Sequence, residues 1–267
     1  MENNREIIVH DQPKSPVSES FRLFRTNLLY LFNDEKGKVL NITSVAQGDG
    51  KSFVTANLGI AFAQFGLKVL IVDADLRKGR QHKIFNKLNK TGLSDYLRGL
   101  TSKKKADQNR EKDEFMNLVL KTEIDNLFLM PSGPVPYNPS ELLGNASLDT
   151  FLKVARENFD VILFDTPPVS ILADSLVICK KVDYVLLVSA AQKTKKDMLV
   201  NVKRSIESVG GKIAGVVLNQ ISMDKNQELY QSYEKYTDVH YTNSKKDIFK
   251  NIKIFSHLTN LKKNEVK

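Results

Sequence analysis

Six short apolar runs, 39–43, 69–73, 126–130, 161–165, 184–188 and 213–218, punctuate this chain, and helical stretches separate most of them, notably 52–65, 145–157, 172–180 and 195–208. Strand-length runs alternating with helices leave few ways to bury both faces of a sheet. The pattern predicts an α/β fold, a mostly parallel sheet with helices on both faces, and a ligand at the carboxyl ends of the strands. No internal repeat interrupts it.

Chemistry is concentrated where that rule puts it. The first run leads into Ser44-Val45-Ala46-Gln47-Gly48-Asp49-Gly50-Lys51-Ser52, just before a helical stretch beginning near Phe53. Glycines there let the backbone turn so that successive N–H groups point at phosphate oxygens, Lys51 reaches the β/γ-phosphates, and the Ser52 hydroxyl suits Mg²⁺. Gly48, Asp49, Gly50, Lys51, Ser52 and Phe53 are the candidate nucleotide contacts, which makes the expected fold P-loop NTPase-like. Val45 stands where that loop usually begins with glycine, so the loop alone is only moderately specific, with a Gly-rich turn that binds nothing as its alternative. Two further strands tell against it. Val69-Leu70-Ile71-Val72-Asp73-Ala74-Asp75-Leu76-Arg77 ends in two carboxylates and a guanidinium, and Val161-Ile162-Leu163-Phe164-Asp165-Thr166-Pro167-Pro168 ends in a third carboxylate. Bringing Asp73, Asp75 and Asp165 together is costly without a cation. Asn219, after the run Ile213 to Leu218, is a candidate reader of an adenine edge, with a strand-ending Asn as the bland alternative.

A chain of 267 residues with 41% hydrophobic content can bury a large core, and 1–267 reads as one domain. The lone Cys179 excludes a disulfide framework and points to a reducing cytoplasm. No apolar leader follows Met1-Glu2-Asn3-Asn4-Arg5 and no run reaches membrane-spanning length, so membrane contact is expected through a partner or a surface segment. The formal charge of +9 raises the question of nucleic acid, but the lysines and arginines (Arg77, Lys78, Arg80, Lys83, Lys87, Lys90, Lys193, Lys195, Lys196 and the tail) are not interleaved with stacking aromatics. No nucleic-acid partner is expected. Residues 101–114 carry almost no apolar content and read as an exposed insertion. Near the start, Ser15-Pro16 opens a helix of about 15–32 with Phe21, Phe24, Leu28 and Leu31 as its apolar stripe.

Taken together, these residues resemble the bacterial tyrosine kinases of capsular and exopolysaccharide synthesis, in their stand-alone cytoplasmic form, over about residues 15–241. The family's D-x-D-x-R is matched by Asp73 to Arg77, its D-x-P-P by Asp165 to Pro168, and its E-x-x-R-x-x-R by Glu19, Arg22 and Arg25. The segment Asn138-Pro139-Ser140-Glu141-Leu142-Leu143 is similar to its N-P-S-E-L-L stretch. The resemblance implies ATP and Mg²⁺, with Lys51 on the transferring phosphates, Ser52 on the metal, Asp75 and Asp165 holding the metal's waters, and Asp73 orienting or deprotonating the attacking tyrosine or standing as a third carboxylate around the metal. It also implies a homo-oligomer, a ring assembled through Glu19, Arg22 and Arg25, and a membrane-spanning activator that holds the chain at the inner face of the membrane. Its targets would be protein tyrosines, in regulation of capsule or exopolysaccharide biosynthesis.

Half of the chain's eight tyrosines, Tyr230, Tyr233, Tyr236 and Tyr241, fall within twelve residues of a polar segment beginning near 227. A packed helical stripe would need aliphatic neighbours, which are nearly absent, so these read as phosphoacceptors. Beyond them Ile248, Ile252, Phe255, Leu258 and Leu261 among lysines predict an amphipathic basic helix over 242–267, against lipid, the activator or the domain itself. The competing reading is a spatial-regulator or partitioning ATPase of the same fold. Such proteins resemble K-G-G-x-G-K-[ST], and the extra lysine would stand where this chain has Ala46.

Overall fold

The computed structural model describes residues 6–33, 35–101, 108–191, 193–221 and 251–255. Eight strands form one sheet: β1 (Lys38–Ser44), β2 (Val69–Asp73), β3 (Leu120–Lys121), β4 (Leu127–Met130), β5 (Val161–Asp165), β6 (Tyr184–Ala190), β7 (Ile213–Ile221) and β8 (Asn251–Phe255). Their order across the sheet is β3-β4-β2-β5-β1-β6-β7-β8. The six strands from β4 to β7 in that order run parallel, and only the edge strands β3 and β8 are antiparallel to their neighbours. Register then sets the chemistry: Asp73 lies opposite Asp165, and Asp165 opposite Ile42 of β1, so the acidic strand ends and the loop after β1 meet at one edge.

Helices cover both faces. On one lie α1 (Ile8–Asp11), α2 (Pro16–Phe32) and α3 (Lys51–Gln64), whose buried side chains meet Leu40, Ile42, Ile71 and Leu163. The other carries α5 (Leu93–Thr101), α6 (Gln108–Leu118) and α8 (Ser147–Asn158) against Val39, Leu70, Val72, Ile162 and Phe164. Successive residues of one strand thus enter opposite cores, the period-two pattern of a sheet buried on both sides. Short helices α4 (Gln81–Ile84), α7 (Pro139–Gly144) and α9 (Asp174–Cys179), with the longer α10 (Lys196–Ser208), complete the set among the described residues. None of the described helices is long and apolar enough to cross a membrane.

Three expectations are corrected. The α2 helix starts as foreseen, with Ser15 Oγ accepting from Ser18 N–H at 3.1 Å and Pro16 at its first position, but Leu31 is 38% exposed and Phe32 is buried in its place. Phe32 falls nearer the midline of the stripe and stacks on Phe62 and Tyr184, with centroids 6.0 and 6.2 Å away. Residues 108–114 are not an insertion loop but the polar part of α6, whose next residue, Phe115, is fully buried against Tyr96, Phe151 and Phe159. Finally, 251–255 is a strand rather than part of a helix, paired with β7 through Val216↔Phe255 and Val217↔Ile254. Two β-branched isoleucines and the open ladder at the edge of β7 outweigh the helical spacing of the apolar residues. Tyr230, Tyr233, Tyr236, Tyr241 and the remainder of the tail lie outside the described residues.

Candidate active site

The loop after β1 turns on two left-handed glycines, Gly48 (φ 87°) and Gly50 (φ 93°), the second being the N-cap of α3. A Cβ at Gly50 would stand 2.0 Å from Asn219 Nδ2, so only glycine allows this approach. Asn219 lies inside β7, not at its end, and its Nδ2 donates to the Asp49 carbonyl at 2.8 Å. One of its two N–H donors thus braces the loop, alongside the adenine-reading role expected from the sequence. Next to it Gln220 donates from Nε2 to the Gly48 carbonyl at 2.6 Å. Asp49 is buried and folds back, accepting from Ala46 N–H at 2.8 Å and Thr194 Oγ1 at 3.3 Å, while burial pushes its carboxyl above the ordinary range. Phe53 lines the cleft beside the loop and packs on Phe21, ring centroids 6.1 Å apart.

Lys51 leaves the first turn of α3 and places Nζ 3.3 Å from Asp75 Oδ2, 3.4 Å from Asp165 Oδ1 and 3.4 Å from Ser52 Oγ. Burial alone would lower its pKa, but the charges of Asp165, Asp75 and Asp73 outweigh it and keep the ammonium protonated. Asp73 is wholly buried. Its Oδ2 accepts from Gln81 N–H at 2.9 Å, its Oδ1 has no partner, and its pKa is held well above the usual carboxylate range by burial and then by the charge of Asp165. Gln81, which the sequence did not single out, joins all three motifs: Nε2 donates to Asp165 Oδ2 at 2.8 Å and to the Ser52 carbonyl at 3.0 Å. A lone glutamine carries no pattern, and its partners lie 29 and 84 residues away.

Above these groups opens a cleft of about 770 Å³ whose walls include Lys51, Ser52, Asp75, Arg77, Lys78 and Arg80. Asp73 and Asp165 are fully buried and are not among the residues that line it. Arg77 is oriented from behind by the buried Asp174, Nε to Oδ2 at 3.2 Å, and Ser140 of the N-P-S-E-L-L stretch hydrogen-bonds the other oxygen of Asp174. Three carboxylates against one lysine, an unpartnered Asp73 Oδ1 and the Ser52 hydroxyl fit a hard divalent cation. Among the described residues no three His, Cys, Asp or Glu side chains form a ready metal cage. Such a set suits Mg²⁺, which keeps waters and takes much of its coordination from phosphates.

Similarities to known proteins agree with this geometry. Residues 40–263 match the CobQ/CobB/MinD/ParA nucleotide binding domain family. The chain is 35% identical over 225 residues to the tyrosine-protein kinase YwqD of Bacillus subtilis, covering 84% of this chain and 90% of that one. It belongs to the bacterial tyrosine kinases. Among solved structures, the chimerical protein CapA2B2 is 39% identical with a TM-score of 0.72 (81% of this chain, 90% of that one). The kinase domain of Escherichia coli ETK is 30% identical with a TM-score of 0.71 (79% and 78%). The enzyme is thus a nucleotide-binding tyrosine kinase of the capsule and exopolysaccharide group rather than a partitioning ATPase. In this kinase the candidate assembly residues on α2 are not all free. Glu19 is exposed and pairs with Arg22 at 2.8 Å, and Arg22 also reaches the Pro13 carbonyl. Arg25, expected to point outward, instead lies over the Phe65 ring at 4.4 Å and donates to the Ala61 carbonyl at 3.2 Å. Burial lowers its pKa, and its Nε has no hydrogen-bond partner. The long guanidinium stem covers the end of α3, a contact between elements that helical spacing alone does not reveal.

Proposed function

We propose that this kinase uses ATP and Mg²⁺ to phosphorylate its own C-terminal cluster, Tyr230, Tyr233, Tyr236 and Tyr241, and other protein tyrosines. In this reading it works as a ring-forming homo-oligomer, docked by a membrane-spanning activator at the inner face of the cell membrane, and regulates capsule or exopolysaccharide synthesis. The observation that carries it is Lys51 clasped by Asp75 and Asp165 beneath a cleft walled by Arg77, Lys78 and Arg80.

Phosphoryl transfer asks a protein for positioning and for neutralisation of charge. Lys51 releases its carboxylates to meet the β/γ-phosphates, with the amides of the loop Gly48–Ser52 around them. Ser52 would ligate the metal, and Asp75 and Asp165 would hold its waters; bound Mg²⁺ would offset the charge that develops on the transferring phosphates. Asp73 takes the proton of the acceptor hydroxyl as its oxygen bonds to the γ-phosphorus and ADP departs. For that, Asp73, which is fully buried, must gain access to the cleft. Asp49 and Asn219 act by holding the loop in shape. Incubation with Mg²⁺-ATP followed by anti-phosphotyrosine detection tests the proposal. Wild-type protein should be labelled and Lys51→Met should not; a labelled Lys51→Met protein rejects the assigned site.

A further inference from the structure

Four tyrosines lie among the described residues, and they differ sharply in presentation. Tyr96 is buried, Tyr184 is half-buried with its hydroxyl on the Leu31 carbonyl, Tyr30 is 82% exposed on α2, and Tyr137 is 99% exposed in the loop between β4 and α7. From the structure we propose that Tyr137 is a phosphoacceptor of this kinase, separate from the tail cluster.

The loop is built to hold that side chain out. Its first part is pinned: Gly133 N–H donates to Asn89 Oδ1 at 2.8 Å, Ser94 Oγ donates to the Pro134 carbonyl at 2.7 Å, and Ser94 N–H to the Ser132 carbonyl at 3.0 Å. Its far end is fixed where Asn138 Nδ2 meets Glu141 at 2.8 Å and Ser140 bonds the buried Asp174. Between these anchors Pro136 and Pro139 are buried, whereas Val135 and Tyr137 project. Prolines fix φ and remove backbone donors, so the segment neither coils into a helix nor folds back on itself. Among the described residues, no hydrogen bond ties the Tyr137 hydroxyl or its backbone N–H.

An acceptor hydroxyl must come in line with the γ-phosphorus at contact distance inside a walled cleft. A projecting tip at a bend in an anchored loop can enter a neighbouring copy's cleft without unfolding, and little ordering entropy is lost when it does. Tyr30 provides the contrast. It is almost as exposed, but it sits in the last turn of a helix whose neighbours Leu28 and Phe32 are buried, so bringing its hydroxyl to a deep site means unwinding packed structure. Exposure alone would label both; presentation labels Tyr137 only. In the transfer, the Tyr137 oxygen bonds to the γ-phosphorus of ATP, the β–γ bridging bond breaks to release ADP, and the phenolic proton passes to a base of the donor's site.

The test mixes two full-length proteins distinguishable by mass: a donor with Tyr230, Tyr233, Tyr236 and Tyr241 replaced by Phe, and a Lys51→Met acceptor with the same four replacements. After incubation with Mg²⁺-ATP, phosphosites on the acceptor are mapped by mass spectrometry. Phosphate on Tyr137, with Tyr30 at least about tenfold lower, is the expected result, and Tyr137→Phe in the acceptor should remove the signal. The same map on unmodified protein separates this inference from the tail reading on which it does not depend. A labelled tail with Tyr137 bare overturns the Tyr137 assignment alone. Equal labelling of Tyr30 and Tyr137 overturns the argument from presentation, and no labelled tyrosine on any protein overturns the kinase reading and this one together.

Discussion

Asp73 is a carboxylate sealed from water with one oxygen unpartnered, and such a group weighs against the fold that holds it. Its pKa is raised in the folded protein, whereas the unfolded chain titrates it at about 3.9. The folded state therefore binds the proton more tightly: stability is greatest below the unfolded pKa and falls as pH rises from there toward the folded value. Asp73→Asn should raise the melting temperature of the nucleotide-free protein at neutral pH by a few degrees, an advantage that shrinks on acidification. The same substitution should slow phosphoryl transfer by about 10²–10⁴-fold. Thermal scans at several pH values and single-turnover kinetics check the two halves. Lys51→Met should have the opposite effect on the fold, because Asp75 and Asp165 lose the ammonium paired with both of them. Its melting temperature without metal should drop, and added MgCl₂ should recover part of the loss. Lys51, Asp73, Asp75 and Asp165 were legible in the sequence because each follows a strand-length apolar run, and parallel strands deliver their ends to one edge. Gln81 and Asp174 were not, since each acts on partners that only the folded chain brings near.

Elements followed the same logic. The interior strands β1, β2, β4, β5, β6 and β7 were readable as apolar runs, two of them to the residue, because burial on both faces demands continuous hydrophobicity. The α6 helix was not, since its first seven residues are polar in sequence and the side chain that fixes it, Phe115, begins where the polar stretch ends. Phe115→Ala should cost about 3–5 kcal/mol in denaturant unfolding, the cost of a large ring removed from an aromatic cluster. On α2, the E-x-x-R-x-x-R spacing suggested three outward side chains, but Arg25 contacts α3. Arg25→Ala should thus lower monomer stability by about 1 kcal/mol through loss of the Phe65 and Ala61 contacts. Arg22→Ala should leave monomer stability within about 0.5 kcal/mol, as an exposed i,i+3 pair does. If α2 forms the subunit contact, sedimentation of Arg22→Ala at equal concentration will still show a smaller assembly than wild type.

For the whole molecule, charge connects catalysis to assembly. Each phosphotyrosine adds roughly −1.5 to −2, so four tail sites would add about −6 to −8 against a formal +9. Phosphorylation between subunits should end in dissociation, as the modified tails leave cationic clefts that now also hold ADP. Mixing Lys51→Met protein carrying intact tyrosines with active protein whose four tail tyrosines are Phe checks the first part: the inactive chain should be labelled. Mass measured across a concentration series, with and without phosphatase, checks the second: the phosphorylated form should be smaller. The last residues of β7 bear on this cycle. Asn219 and Gln220 grip the carbonyls of Asp49 and Gly48, and β7 ends at Ile221, where the chain toward the tyrosines departs. The loop after β1 and the end of β7 are therefore one mechanical unit, so that whatever displaces the loop pulls on the strand through two side-chain amides.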